Sequence, residues 1–576
     1  MNKIVVTTAG LLAFLGAGPA AADAIERNLP PAQQQQGPAT VVPPNAVPQA
    51  LDVVPLGPDF KAIVILGPKD AVVKSANLAG VDASRVADLA DADSQAQLST
   101  YIGKPMTRRA IAEVEATIAN IYRAKGLPFV AVMTPPQEVT MGIVQFRVIE
   151  FKVGKVEATG NTRGDASFYT DRVRVKSGDR VETGPLVQDL DWINRSNFHK
   201  AEAVFTPGTQ SGETDLNLRV TEGKPWRVYA GYANSGAPST TRDRFFAGGM
   251  AGDFLIPDSF LSYQITGSRD FWYDQGQFFN NARHPSYISH AMRLALPLAP
   301  RQQLEVTFSA VQTAKNVSPF DIRQRTIEGT VAYRSAMSNF SSMSGDIYAG
   351  VEAVHQNSDT YFLGFHALSQ MVDVYQLFLG WSGGFTSPLG ATLIDASLHA
   401  SPGGIGSHNS SADFLSYSAG RVQNARYDYI QTSINHSFVI APGFSVSSEV
   451  QGQLASGALP EARQISISNV RGYTSDDGSF DVGVTARNEL RLPAFSALGS
   501  FSDIQDRVSP YVFADAAYVR DRFDRSSASP ISAGLGLGYS LGGNLSSSLE
   551  AAYAIRDAGL TQRGDWQVGT RITLTY

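Results

Sequence analysis

The stretch "ISNVRGYTSDDGSFDVG", residues 466–482, sets an arginine, a glycine and a tyrosine (Arg471, Gly472, Tyr473) directly before an acidic, turn-rich segment. An arginine fork can hold a carboxylate through two parallel hydrogen bonds. A glycine frees a loop tip to turn tightly, and a tyrosine packs its ring while keeping a hydroxyl for a partner. This is the chemistry of docking. Taken alone, the same letters also describe an external hairpin with an exposed arginine and a turn glycine.

Residues for bond-making do not gather elsewhere. The chain has 8 histidines, none in a nucleophile motif, and "HNSS" (His408 to Ser411) reads as a polar loop. It has no cysteine, so neither a disulfide framework nor a thiolate metal site can form. There is no Gly-rich phosphate loop of the Walker type. With 47 Lys and Arg against 53 Asp and Glu, the net charge of -6 offers no clustered cationic surface for phosphates, which sets nucleic acid aside as a partner. The expectation is a protein without cofactor, metal or enzymatic step.

The elements that position these residues follow from periodicity. Residues 1–24, "MNKIVVTTAGLLAFLGAGPAAADA", have one basic residue, an apolar run from Ile4 to Ala17, and small residues suited to cleavage after Ala22 or Ala24. They read as a secretory signal peptide; the run is too short for a membrane-anchoring helix and Gly and Pro interrupt it. Residues 25–58 are rich in Pro, Gln and Ala and read as a linker. Within 59–151 the order is strand, helix, strand, strand. The helix sets Ile111, Val114, Ile118, Ile121 and Tyr122 on one face between Thr107 as N-cap and Gly126 as stop. A similar order recurs in 152–224, with Leu186, Leu190 and Ile193 at helical spacing. Two α+β modules, or one mixed domain, account for this region.

From residue 225 to 576 the texture becomes long strands with two-residue alternation. In "ISAGLGLGYSLGG", Ala533, Leu535, Leu537, Tyr539 and Leu541 share one face and Ser or Gly the other. In the last strand, Trp566, Val568, Ile572, Leu574 and Tyr576 face one way, a C-terminal signal that ends on an aromatic. A soluble sandwich also alternates. The uninterrupted run of strands rich in Gly and aromatics, ending on an aromatic, instead predicts a closed transmembrane β-barrel of about 16 antiparallel strands, apolar outside and polar inside. In "SPYVFADAAYVR", Tyr511, Phe513, Asp515 and Ala517 then share the inner face, because Asp515 turned to lipid would be costly.

These features together resemble a TpsB transporter of two-partner secretion, the haemolysin and haemagglutinin exporter group among barrels preceded by POTRA modules. The marks are "LDWINRSNFHKAEAVFTPGTQSGETDLNLRV" in the second module, "YANSG" (Tyr232 to Gly236) at the first barrel strand and, most specific, "VRGY" (Val470 to Tyr473). The resemblance implies POTRA modules at 59–151 and 152–224 and a barrel at 225–576. It also implies that the loop around 465–480 folds into the lumen, with Arg471 held by an inner-wall acid. "Phe513-Ala-Asp515" matches the family's F-x-D pattern, although the glycine often found two residues later is Ala517 here. The physical case for the pair is independent of the family: a carboxylate inside a crowded lumen needs a donor, and arginine bridges it bidentately.

By the same resemblance the chain sits in the outer membrane of a Gram-negative bacterium with its modules in the periplasm. It exports an unfolded, TpsA-like exoprotein, and its other partners are outer-membrane lipid and the barrel assembly machinery during biogenesis. Family members carry an N-terminal plug helix; residues 25–36 here hold two prolines and little apolar face, which argues against a plug helix and leaves 25–58 as a linker that could serve as a plug segment. Two other functions fit the same architecture: an insertase for other barrels, whose relatives usually carry more modules, and a passive porin with a periplasmic appendage.

Overall fold

The computed structural model describes residues 25–32, 53–74, 77–160, 164–272, 284–499 and 504–576. The signal-peptide reading, and most of the stretch read as a linker, fall outside them. The described residues form two compact units: residues 53–223, and residues 224–576 together with 25–32.

In the first unit Ala62–Leu66, "AIVIL", is buried at every residue, as a central parallel strand must be. It pairs in parallel with Gly80–Asp82 and with Ile143–Glu150, which in turn pairs with Val130–Met133. The helix α1 (Arg108–Ala124) lays Val114, Ile118, Ile121 and Tyr122 on this sheet, and Thr107 caps it by accepting from the Ala110 N–H at 3.0 Å. Three short elements escaped the sequence reading: Gly80–Asp82, the helix Ala92–Ser99, and the pairing of Pro55–Asp59 with Pro105–Thr107. None is long enough to show a hydrophobic period. The second sheet runs in the order Lys152–Thr159, Glu213–Glu222, His199–Pro207, and α2 (Thr183–Ile193) buries Leu186, Leu190 and Ile193 against it.

The second unit is a closed barrel of 16 antiparallel strands. They are β1 (Trp226–Ala233), β2 (Arg244–Gly252), β3 (Phe260–Gly267), β4 (Tyr287–Ala299), β5 (Gln302–Val317), β6 (Phe320–Ala336), β7 (Asp346–Phe362) and β8 (Phe365–Ser387). The circuit continues through β9 (Gly390–Ser401), β10 (Tyr427–Ala441), β11 (Phe444–Ala455), β12 (Val482–Arg491), β13 (Asp506–Arg520), β14 (Ile531–Leu541), β15 (Leu545–Ala554) and β16 (Trp566–Thr575). Closure runs from Tyr229 opposite Thr575 to Ala233 opposite Arg571. Alternation sorts the wall. Leu535, Leu537, Leu549, Trp566, Val568, Ile572, Leu574 and Tyr576 are exposed on the outside, whereas Tyr511, Phe513, Asp515 and Ala517 are buried on the inside. So continuous an exposed apolar belt suits hydrocarbon, not water.

Candidate functional site

The connection 456–481 between β11 and β12 does not project away from the barrel. Asn469 reaches Gln451 on β11, Arg471 reaches Asp515 on β13, and Arg463 reaches Glu352 on β7. Contacts with inner-face residues all round the wall put this hairpin inside the lumen. Its base is closed by two short strands, Ile465–Ser466 and Ser479–Phe480. Asp481, without solvent exposure, ties the base down by accepting from the Leu459 N–H at 2.8 Å, the Arg522 N–H at 2.7 Å and Arg421 at 2.9 Å.

At the hairpin tip, Arg471 donates from Nε and Nη2 to the two oxygens of Asp515, at 2.6 and 2.8 Å. Its Nη1 donates to Glu489 at 2.8 Å and stands 3.6 Å from Glu550, while the guanidinium lies 3.8 Å from the Phe513 ring centroid. Phe513 and Asp515 thus serve one cation, the ring from its face and the carboxylate from its edge. Gly472 has φ +94°, and a Cβ there would lie 3.3 Å from that of Ala552. Both the turn and the close approach to the wall therefore favour glycine. The Tyr473 hydroxyl donates to the carbonyls of Arg556 at 2.6 Å and Ile531 at 3.0 Å. Val470 and Tyr473 share a buried cluster with Ala517 on β13.

The acidic turn after the motif also has a function in the packing. Asp477 accepts from the N–H groups of Leu560 and Thr561, at 2.9 and 2.7 Å, in the β15–β16 connection. Asp476 accepts from the Ser239 N–H and hydroxyl, at 2.8 and 2.6 Å, in the β1–β2 connection. Adjacent acids of one turn thereby hold the loops on both sides of the β1–β16 seam. "YANSG" serves the same seam: Asn234 donates to the Val568 carbonyl at 2.8 Å and accepts from the Thr570 N–H at 2.6 Å. Gly236 leaves room for the Arg244 guanidinium, which a Cβ would meet at 2.3 Å.

Residues 25–32 are the second segment in the lumen. They are not helical, and Asn28 has a left-handed φ of 47°. The Glu26 carboxylate accepts from Arg244 at 2.9 and 2.8 Å, and Arg27 pairs with Glu328 on β6. Arg244 is itself fully buried and lies 4.0 Å from the Tyr287 ring centroid. Glu328 also lies 3.5 Å from Arg463, and the Ala462 carbonyl accepts from Arg27 at 3.3 Å, so this segment and the hairpin meet directly.

The residues singled out from sequence fall into two places. Val470, Arg471, Gly472, Tyr473, Phe513 and Asp515 come together in the lumen; Trp566, Val568, Ile572, Leu574 and Tyr576 line the outer face of β16, apart from them. Sequence reading missed Glu26, Arg27, Arg244, Glu328 and Arg463. Glu328 was accessible by the strand parity that placed Asp515, since Ile327, Gly329 and Val331 form the opposite face of β6. Arg463, in an irregular turn, had no such signal. "HNSS" was read too blandly. Asn409 donates to the Asp373 carbonyl at 2.6 Å, and Ser410 with Asp413 forms a capping box for α3 (Ser411–Tyr417). The S-x-x-D spacing signals such a cap. Among the described residues no group of three or more His, Cys, Asp or Glu is placed to hold a metal ion.

Comparison with known proteins places this lumen in context. The family model "Haemolysin secretion/activation protein ShlB/FhaC/HecB" matches residues 341–541, and the model "POTRA domain, ShlB-type" matches residues 76–150. The outer membrane transporter CdiB-2 of Burkholderia pseudomallei is 26% identical over 150 residues, 25% of this chain and 24% of its own length. The heme/hemopexin transporter protein HuxB of Haemophilus influenzae is 22% identical over 153 residues, 26% of this chain and 27% of its own. The matched stretches thus span about a quarter of each relative. In fold, CdiB from Escherichia coli superimposes with a TM-score of 0.68 at 15% identity, covering 94% of both chains. CdiB from Acinetobacter baumannii gives 0.59 at 16% identity, covering 94% of this chain and 95% of its own.

Proposed function

Because the chain belongs to the family of haemolysin secretion/activation proteins ShlB/FhaC/HecB, we propose that it is a two-partner secretion translocator. In this reading it takes an unfolded, TpsA-like exoprotein from the periplasm through its POTRA modules and exports it through the barrel to the cell surface. The barrel lies in the outer membrane with the modules on the periplasmic side. The rim at Trp226 therefore faces the periplasm and the rim at Ala233 faces outward.

One observation carries the reading. The lumen is filled by two segments of the chain itself, each held by charged pairs to the wall rather than built into the sheet. A passive porin gains nothing from such an arrangement, whereas a translocator needs a path that is closed at rest and can be vacated. The Arg471–Asp515 contact is then the latch of the resting state. The edge strands Val130–Met133 and His199–Pro207 leave one side of their backbone unpaired within their sheets, which suits an extended client that adds a strand through main-chain hydrogen bonds. Transport in this scheme involves no enzymatic step. The apolar belt meets outer-membrane lipid, and the C-terminal strand from Trp566 to Tyr576 presents the barrel to the assembly machinery.

The test is co-expression of a candidate exoprotein with the wild type and with the Arg471→Ala and Asp515→Ala variants. Surface detection should show export by the wild type and its loss in both variants while the barrels still assemble. A wild type with large steady conductance and no dedicated client would overturn the reading in favour of a porin.

A further inference from the structure

The contacts of residues 25–32 fall into two kinds. Side-chain contacts are made by Glu26 with Arg244 and by Arg27 with Glu328. Asn28 adds a third, its side-chain amide donating to the Tyr287 hydroxyl at 2.8 Å. Four further contacts read main-chain carbonyls of the segment, and in each of these the wall donates. The Tyr287 hydroxyl donates to the Glu26 carbonyl at 2.6 Å and Gln264 Nε2 to the Asn28 carbonyl at 3.1 Å. Arg293 Nε donates to the Pro30 carbonyl at 3.0 Å and the Ser262 hydroxyl to the Pro31 carbonyl at 3.0 Å.

These four donors lie on the adjacent strands β3 and β4, and Ser262 stands directly opposite Arg293. The segment therefore descends along one strand pair, parallel to the way through the barrel. One of these donors is aimed by a neighbour on the wall: the Tyr229 hydroxyl donates to Gln264 Oε1 at 3.0 Å, which turns the amide nitrogen toward the lumen. Gly248 gives the Tyr229 ring its place, because a Cβ there would come within 2.5 Å of the hydroxyl. Such a row recognises nothing particular to Glu, Arg or Pro, since every peptide unit carries the same acceptor.

We propose that the β3–β4 inner wall, with Ser262, Gln264, Tyr287 and Arg293, is a binding track for the main chain of a transiting polypeptide. Residues 25–32 occupy it at rest as an internal stand-in. The assignment rests on the translocator reading and adds where, and by which atoms, the client is held. It accounts for why buried donors are spent on carbonyls when two ion pairs already fasten the segment.

The test uses purified protein from which residues 25–32 are deleted, which removes the tethered occupant and leaves the wall intact. Two labelled synthetic peptides serve as probes, IERNLPPA (residues 25–32) and its uncharged counterpart IAANLPPA, with binding read by fluorescence anisotropy. Both should bind, and adding Gln264→Leu with Arg293→Met should weaken both about tenfold, the loss of roughly two net hydrogen bonds. Ser262→Ala, a smaller change to the wall, should weaken both about threefold to fivefold. Failure of the uncharged peptide to bind, or affinities indifferent to the wall substitutions, would overturn the track. No exoprotein enters this measurement, so failure of a client to reach the surface would count against the translocator reading alone.

Discussion

Arg27 and Arg463 meet on one carboxylate. Glu328, on the inner face of β6, pairs with Arg27 of the N-terminal segment and stands 3.5 Å from Arg463 of the hairpin, which also pairs with Glu352 at 2.8 Å. The two occupants of the lumen are thereby joined through a wall residue. Moving one withdraws a charge from a carboxylate that the other also needs.

Glu328→Gln should therefore loosen both segments at once. Removing one partner from a buried ionic cluster costs about 3 kcal/mol or more, because the remaining charges stay buried. Planar-bilayer recordings should show raised conductance, and limited proteolysis should cleave near residue 27 and in 456–481 together. Cleavage of one segment alone would mean they move independently.

Arg471→Lys should behave nearer to Arg471→Ala than to the wild type. A lysine carries the charge but cannot match both Asp515 oxygens or lie flat on Phe513. Arg471→Ala with Asp515→Ala should shift conductance little further than either change alone, since each has already broken the same contact.

Much of this site was legible in the sequence, and the reason is geometric. Strand parity is a strict two-residue rule, so Asp515 could be placed on the inner wall from "VFADAAYV" alone, and the exposed set on β16 followed the same rule. The inward fold of the hairpin was not derivable that way. It came from resemblance, because nothing local distinguishes a loop that turns into a lumen from one that turns into solvent. Residues 25–32 were harder still. Prolines exclude a helix, but they say nothing about carbonyls being held one by one by Ser262, Gln264, Tyr287 and Arg293.

Gly472→Ala should weaken hairpin docking by about 1–3 kcal/mol, from a side chain held at φ +94°. Relieving the neighbouring contact with Ala552→Gly should restore only part of the loss, because the backbone strain persists. Full rescue in the conductance record would show that contact with the wall, and not conformation, demands glycine here.

Asn234→Ala should weaken the β1–β16 seam, removing two hydrogen bonds worth about 1 kcal/mol each. The midpoint of barrel unfolding, followed by the gel-mobility shift of heated samples, should fall by a few degrees. An unchanged midpoint would mean the ladder alone secures closure.

The central claim is that the hairpin must leave its seat for the client to pass. A chain without cysteine allows it to be tested with one engineered pair, Gly472→Cys with Ser532→Cys. A Cβ at position 472 would stand 3.6 Å from that of Ser532, within disulfide geometry. Surface appearance of a co-expressed exoprotein is then compared for the oxidised and reduced forms of the same protein. A cysteine at position 472 carries the same backbone strain as alanine there, so the reduced form is the reference. The account predicts export, lowered from the wild type, when the pair is reduced and none when it is oxidised; equal export in both states, with the disulfide shown to be intact, would contradict it.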